Sequence, residues 1–173
     1  GLDDVKAYNF FQKKSMYVYA NEITQKALKN EFSYIFAENK YPGVPDVNLH
    51  TISDETFLVG DILVTPILVY HLKLPVLGFR FGKFTYITDA NKIDDLEKDK
   101  IKGSDTLIIN ALRKTEHISH FSLKEAVTLV QELKIPRGYI THISHQLGTH
   151  DEINNELPEN IQLAGDGLEL NFK

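Results

Sequence analysis

Apolar positions in the middle of the chain follow the short, β-rich pattern that is typical of strands. Four runs of β-branched and aromatic residues predict strands at residues 47–52, 62–71, 76–81 and 84–88. Gly82 and Lys83 separate the last two runs, as the tight turn of a hairpin would. Shorter apolar runs predict further strands at residues 16–20, 106–110 and 138–141.

Helical spacing is clearest in the second half of the chain. Ser122 and Glu125 have the spacing of a capping box, and Phe121 stands where a hydrophobic staple would. We therefore predict a helix that stops before Pro136 and buries the stripe Leu123, Ala126, Val127, Val130 and Leu133.

Three weaker patterns complete the prediction. Asn21 is placed to cap a helix with Ile23, Ala27 and Leu28 on one face. The polar residues 91–102 predict a short exposed helix that ends at Gly103. Residues 161–172 are predicted to form a hairpin around the sequence Gly-Asp-Gly at 165–167.

Strands that come first and then alternate with helices indicate a mixed α/β (α+β) sandwich. The 173 residues suffice for a single domain over residues 1–173. The chain has no cysteine, which excludes disulfides and thiolate metal sites, so a bound metal would need His, Asp or Glu ligands.

Charge and hydropathy narrow the partners that we expect. The net charge is −5 and there is no stretch rich in Lys and Arg, which argues against a nucleic-acid partner. No apolar run approaches the roughly 20 residues that span a bilayer, so we expect no membrane partner. A cytoplasmic location is expected by default.

Polar residues with metal-binding side chains follow several of the predicted strands. His71 ends one strand, Asp89 follows the hairpin, His142 follows the strand 138–141, and His120 lies just before the helix cap. Strand ends are where α/β folds usually place their sites. Imidazole and carboxylate ligands without thiolates suit zinc, manganese or iron.

Each of these residues also has a plainer interpretation. A histidine at a strand end is most often a hydrogen-bonded or surface residue, which applies to His71. Asp89 could simply cap the segment that follows. His117 and His120 could be solvated loop residues. The pair His142 and His145, flanked by hydroxyl residues, is more specific, because such neighbours often orient metal ligands.

Five segments in order resemble the metallo-β-lactamase-fold hydrolases of the phosphoribosyl 1,2-cyclic phosphate phosphodiesterase type. They are Tyr-Ile-Thr-Asp-Ala-Asn at 86–91, Asn-Ala-Leu-Arg at 110–113, His-Phe-Ser-Leu at 120–123, Thr-His-Ile-Ser-His-Gln-Leu at 141–147, and Leu-Pro at 157–158 with Gly-Asp-Gly at 165–167. The resemblance covers essentially the whole chain and implies the αββα fold of that family.

The resemblance also implies a role for each site residue. His71, Asp89 and His142 would be metal ligands, with Asp89 bridging two divalent ions, manganese or zinc. His120 would be a catalytic residue that binds no metal and acts as a general acid or a phosphate contact. From their positions we infer that His145 and Asp166 would orient the ligands by hydrogen bonds.

The family's His-x-His-x-Asp-His motif is absent from this sequence. In the family it lies immediately before the Gly-Leu-Asp-Asp sequence that opens this chain. We therefore expect an N-terminally truncated domain, the C-terminal part of the fold only, which would be inactive or weak by itself. An incomplete sandwich would expose an apolar sheet, so we expect a homo-oligomer.

The predicted function is that of a metal-dependent hydrolase, a phosphodiesterase acting on a small cyclic or nucleotide-like phosphate ester through a metal-activated hydroxide. Two alternatives stay open. One is another hydrolase of the same fold, acting on a thioester, a lactone or an RNA end. The second is a non-catalytic domain whose histidines are remnants.

Overall fold

The computed structural model describes residues 1–172, which fall into two compact units that divide after Ser53. The prediction of one domain over residues 1–173 stays a prediction, because this division does not show whether the units fold independently. Among the residues described, no helix is long and apolar enough to cross a membrane.

The first unit contains three α-helices and a two-stranded parallel sheet within residues 1–53. A short 3₁₀ turn at Leu2–Asp4 leads into the elements of this unit, which are α1 (Val5–Gln12), β1 (Met16–Ala20), α2 (Glu22–Glu31), α3 (Ser33–Phe36) and β2 (Val47–Thr51). Strand β1 pairs with β2 in parallel register. The strands predicted at 16–20 and 47–52 are therefore confirmed to within a residue.

The cap of α2 is confirmed, but the apolar face of this helix is not the face that is buried. The Asn21 side chain accepts a hydrogen bond from the backbone N–H of Thr24 at 2.8 Å. Ile23 and Ala27 are exposed, and the residue that faces inward is Gln25. Its amide donates to the Ala20 carbonyl and to the Thr51 hydroxyl, so hydrogen bonds rather than apolar packing decide the orientation of this helix.

The second unit is built around an eight-stranded sheet within the described residues. Its elements in chain order are β3 (Phe57–Val59), β4 (Ile62–His71), β5 (Leu74–Phe81), β6 (Phe84–Ile87), β7 (Lys92–Ile93), α4 (Asp95–Ile101), β8 (Thr106–Asn110), α5 (Leu123–Glu132), β9 (Arg137–Thr141), α6 (His150–Glu156) and β10 (Ile161–Leu163).

Sheet order brings the carboxyl ends of four strands to one edge. The order is β10-β9-β8-β6-β5-β4-β3, with β7 beside β4. Strands β6, β8, β9 and β10 run parallel to one another. Strand β4 is antiparallel to β5, which is antiparallel to β6, so β4 runs in the same direction as β6. The ends of β4, β6, β8 and β9 therefore open at the same edge.

Helix α5 covers this sheet as its sequence predicts. The capping box of Ser122 and Glu125 is present, and the stripe ending at Leu133 is buried apart from Val127, which packs against the core while partly exposed. Gly138 on β9 lets the helix approach, because a Cβ there would lie 3.0 Å from Val130. These contacts fix the β8–α5–β9 crossover and so the ends of β8 and β9.

The C-terminal prediction of a hairpin over 161–172 is wrong. Strand β10 is short and pairs with β9 as a parallel neighbour, and residues beyond Leu163 form no strand up to residue 172. The Gly-Asp-Gly sequence does turn, because the Leu168 amide donates to the Gly165 carbonyl at 3.1 Å. No second strand follows the turn within the described residues; β10 pairs instead with β9, to which helix α6 connects it.

Helix α6 is an element that the sequence patterns did not predict. Thr149 and Glu152 form a capping box like that of α5, a signal that was present in the sequence. The helix is short and polar, and among its residues only Ile153 is buried, so helical periodicity alone does not reveal it. The mixed α/β fold class itself is confirmed.

Gly78 offers a test of how tightly the central strands pack. A Cβ at this position would lie 2.7 Å from Ile87 Cγ1 and 3.1 Å from the Tyr86 carbonyl oxygen, on the strand that leads to Asp89. Gly78→Ala should therefore lower the free energy of unfolding by about 1–3 kcal/mol, as overpacking does. Urea denaturation measures this.

Gly165→Ala is the matched control, because its Cβ would meet nothing closer than 3.5 Å. It should change stability by no more than about 1 kcal/mol, and in the stabilising direction if at all. Equal losses in the two variants would contradict the packing described for β5 and β6.

Candidate metal centre

Four predicted site residues meet where the strands end. His71 is the last residue of β4, Asp89 lies two residues after β6, and His142 follows β9 directly. His120 lies in the loop that leads from β8 to α5. Residues up to 71 positions apart in sequence are therefore neighbours because their strands share a direction.

Asp89 lies at the centre of the group. Its Oδ1 atom is 3.1 Å from Nε2 of His120 and 3.1 Å from Nε2 of His142. The rings of these two histidines stack with centroids 4.9 Å apart. The His71 ring meets the His120 ring edge-on at 4.8 Å. One carboxylate and three imidazoles thus face a common point.

The site is partly open to solvent. The side chains of Asp89 and His142 are 49% and 40% exposed, whereas that of His120 is 12% exposed. A ligand from solution can therefore reach the carboxylate, while His120 forms the floor of the site.

Backbone conformation at two of these residues is unusual. Asp89 and His142 both have φ of 54°, in the left-handed region that non-glycine residues rarely occupy. Asp and His tolerate it better than most residues. Such conformations persist only where the surrounding structure holds them, and they concentrate at functional sites.

Asn110 holds the loop that carries Asp89. This residue is fully buried at the end of β8. Its side-chain oxygen accepts from the Ala90 amide and its side-chain nitrogen donates to the Ala90 carbonyl, both at 2.9 Å. The Ala90 carbonyl also accepts from the Phe121 amide at 2.8 Å, next to His120. The sequence alone places Asn110 in one of the family-like segments but gives it no role.

The loop of His142 is joined to the same framework through backbone bonds. The Ala111 amide donates to the Thr141 carbonyl at 3.0 Å, and the Ser144 amide donates to the Leu112 carbonyl at 2.9 Å. The residues that follow β8 therefore hold the Asp89 loop on one side and the His142 loop on the other.

His120 lies in a small cluster of polar side chains. Its Nδ1 atom is 2.9 Å from Ser119 Oγ and 3.2 Å from Nδ1 of His117. Burial lowers the pKa of His120 below its usual value, the hydrogen bond to Asp89 opposes this, and the neighbouring His142 and His71 lower it further. The imidazole is therefore neutral at pH 7, the form that can offer a lone pair.

The donors fit a divalent metal ion. Ligand atoms of His71, Asp89 and His120 all lie within 4.8 Å of one another. Donors around one such ion lie roughly 3–4 Å apart, given bonds of about 2 Å, so small side-chain rotations would complete the set. Imidazole and carboxylate together suit zinc and manganese. Within the described residues this group contains His120 rather than His142, although both histidines lie 3.1 Å from Asp89 Oδ1, so the ligand set His71, Asp89 and His142 stays a prediction.

His145 and Asp166 lie outside this group of contacts. Both are exposed, and neither is hydrogen-bonded to His71, Asp89, His120 or His142 within residues 1–172. Their predicted role in orienting the ligands stays a prediction. The residues that do make such contacts are Ser119 and His117, which sequence position alone does not distinguish from solvated loop residues.

Comparison with known proteins identifies the family. The sequence model described as the beta-lactamase superfamily domain matches residues 1–143. The chain belongs to this superfamily. The resemblance to metallo-β-lactamase-fold hydrolases that the motifs indicated is therefore confirmed.

Solved structures agree with this assignment. A diphosphatase of the PhnP family is 36% identical, with a TM-score of 0.89, over all of this chain and 66% of its own. Zinc-bound PqqB from Methylobacterium extorquens has a TM-score of 0.68 at 17% identity, over 92% of this chain and 66% of its own, which supports the fold alone.

A curated relative is named for a different reaction from that of the diphosphatase. The octanoyltransferase of Porphyromonas gingivalis is 32% identical over 171 residues, which are 98% of this chain and 34% of that protein. The chain thus spans about a third of this relative and about two thirds of the diphosphatase.

Asp89→Asn tests the metal centre. Asn tolerates the left-handed backbone and keeps the shape of the side chain, but it lacks the charge that a metal ligand needs here. Zinc or manganese at about 100 times Kd should stabilise the wild-type protein by about 2.7 kcal/mol, on the order of 5–10 °C in Tm. Asp89→Asn should abolish that shift while leaving Tm without metal nearly unchanged.

Asp99→Asn is a matched control, because Asp99 is an exposed residue of α4 that pairs only with Lys102 in the described structure. It should leave the metal-induced shift intact. A metal-induced shift that survives in Asp89→Asn would show that the metal binds elsewhere.

Proposed function

We propose that this chain contributes the metal centre of a metal-dependent hydrolase, a phosphodiesterase that acts on a small cyclic or nucleotide-like phosphate ester. The observation that carries the proposal is the grouping of metal-binding atoms of His71, Asp89 and His120 within 4.8 Å, with His142 3.1 Å from the same carboxylate. The 36% identity to a PhnP-family diphosphatase supports a phosphate-containing substrate.

His71, Asp89 and His142 are proposed as ligands of two divalent ions, manganese or zinc. Asp89 suits the bridging position, since one of its oxygens already lies 3.1 Å from the nitrogens of two histidines. Bound ions of this kind supply hydroxide at neutral pH and polarise the phosphoryl oxygens. The chain's own part is to hold these three donors at or just after the ends of β4, β6 and β9.

His120 is proposed to be catalytic. Its Nδ1 atom faces Ser119 and its Nε2 atom faces the open side of the site, beside Asp89. A histidine held in this way can give a proton to the leaving oxygen of the ester or contact a phosphate oxygen.

A second candidate function is thioester hydrolysis or acyl transfer. The observation that favours it is the octanoyltransferase name of the curated relative. That relative is about three times as long as the matched region, so its activity belongs to a larger protein. The present chain has no cysteine to carry an acyl group as a thioester, which favours hydrolysis.

Lactone hydrolysis, cleavage at RNA ends and a non-catalytic role have less support. The net charge of −5 gives no support to an RNA substrate. A small-molecule substrate, a homo-oligomeric state and a cytoplasmic location stay predictions from the sequence.

Turnover of two probes tests the proposal. Purified protein with added manganese or zinc should hydrolyse bis(p-nitrophenyl) phosphate faster than an octanoyl thioester. His120→Ala should lower kcat for the phosphodiester about 10²–10⁴-fold, the usual contribution of a general acid or base, with the bound metal unchanged by elemental analysis.

His150→Ala is the control, because His150 is exposed at the start of α6. It should keep full activity. Loss of metal from His120→Ala would make His120 a ligand, and faster cleavage of the thioester would favour the second candidate. No turnover of either probe by wild-type protein would favour a non-catalytic domain.

A further inference from the structure

We propose that Asn91 is a positioning residue that fastens the loops of His71, Asp89 and His120 to one another, an inference that rests on the proposed metal centre. Asn91 lies two residues after Asp89 and is partly buried. Its bonds reach both neighbouring loops, so it can set the distance between metal-binding groups that it does not itself supply.

The first pair of bonds fixes the turn after β4. The Asn91 backbone amide donates to the Tyr70 carbonyl at 2.8 Å. The Asn91 side-chain oxygen accepts from the Leu72 amide at 2.8 Å. These two contacts lie on either side of His71, so both peptide groups that flank the histidine are held.

The backbone conformation of Leu72 shows why this turn depends on stabilising contacts. Its φ of 59° lies in the left-handed region, which is costly for a leucine. The pairing of His71 with Leu74 closes this turn, and the bond to Asn91 adds a contact at Leu72 itself that opposes relaxation towards negative φ. Such a change would rotate the preceding peptide and move His71 away from the cluster.

The side-chain nitrogen of Asn91 makes a further bond, to the loop before α5. The Asn91 side-chain nitrogen donates to the Ile118 carbonyl at 3.1 Å, two residues before His120. The direction of the amide is fixed by its partners, because a backbone N–H can only donate and a carbonyl can only accept. A side chain with both a donor and an acceptor at this length is therefore required.

The side chains of Asn91 and Asn110 hold different loops of the site. Among the described residues, the Asn110 side chain bonds to Ala90, within the loop of Asp89. Asn91 extends outward from that loop to the turns of His71 and His120. Residues that orient metal ligands in this way typically change metal affinity or activity 10–100-fold when they are replaced.

Metal affinity of Asn91→Ala is the main test. We expect its Kd for zinc or manganese to rise about 10–100-fold, measured by the rise in melting temperature as each metal is titrated. Asn160→Ala is the matched control, because its side-chain amide donates to the Ile135 carbonyl at 3.0 Å, at the opposite edge of the sheet. It should lower stability without changing Kd.

Hydrogen exchange of the Leu72 amide gives a readout that needs no metal. Exchange at Leu72 should speed up in Asn91→Ala and stay slow in Asn91→Asp, whose carboxylate keeps the acceptor while the donor to Ile118 is lost. If Asn91→Ala does not fold, the metal titration is carried out on Asn91→Asp instead.

The outcomes separate this inference from the proposed function. A Kd for Asn91→Ala within twofold of wild type, or an equal rise in Asn160→Ala, overturns the role of Asn91. Unchanged exchange at Leu72 in Asn91→Ala overturns it as well. Absent turnover of phosphodiesters by wild-type protein contradicts the proposed function while leaving the metal-affinity result for Asn91 valid.

Discussion

The bonds between the buried Asn110 amide and the backbone of Ala90 hold the centre of the site together. Asp89 has an unusual backbone conformation, with φ of 54°, that the surrounding structure has to hold. Asn110 satisfies both backbone groups of the next residue at 2.9 Å, in a fully buried position. A buried amide left without these partners would be costly, so the loop and the end of β8 keep their geometry together. His120 and His142 then approach a carboxylate whose position is already fixed.

Several features of fold and site could be predicted from sequence because their signals are local. The capping box at Ser122 and the β-branched run that ends at His71 each mark an element within a few residues. Other features depend on contacts between distant residues. The inward-facing Gln25 and the parallel pairing of β10 with β9 follow from partners far along the chain, so helical spacing did not reveal the first and the Gly-Asp-Gly turn predicted a hairpin that does not form. The bonds of Asn110 to Ala90 belong to the same class.

Family membership establishes the fold of this chain, whereas the local geometry of the site constrains its chemistry. The superfamily match over residues 1–143 establishes the fold, whereas the relatives differ in name, one a diphosphatase and one an octanoyltransferase. Fold alone does not decide between such reactions. In this chain the candidate donor set is a carboxylate with neighbouring imidazoles near strand ends, held by backbone bonds of the adjoining loops. The substrate is then decided by the side chains around this set.

Anomalous diffraction from crystals soaked in zinc or manganese tests the central claim most directly, because it locates the ion without assuming a reaction. The account predicts an anomalous peak about 2.0–2.2 Å from the Asp89 carboxylate and from at least one of the three histidines that face it. A peak at another position on the protein, or no peak among these residues in crystals that bind metal elsewhere, would contradict it.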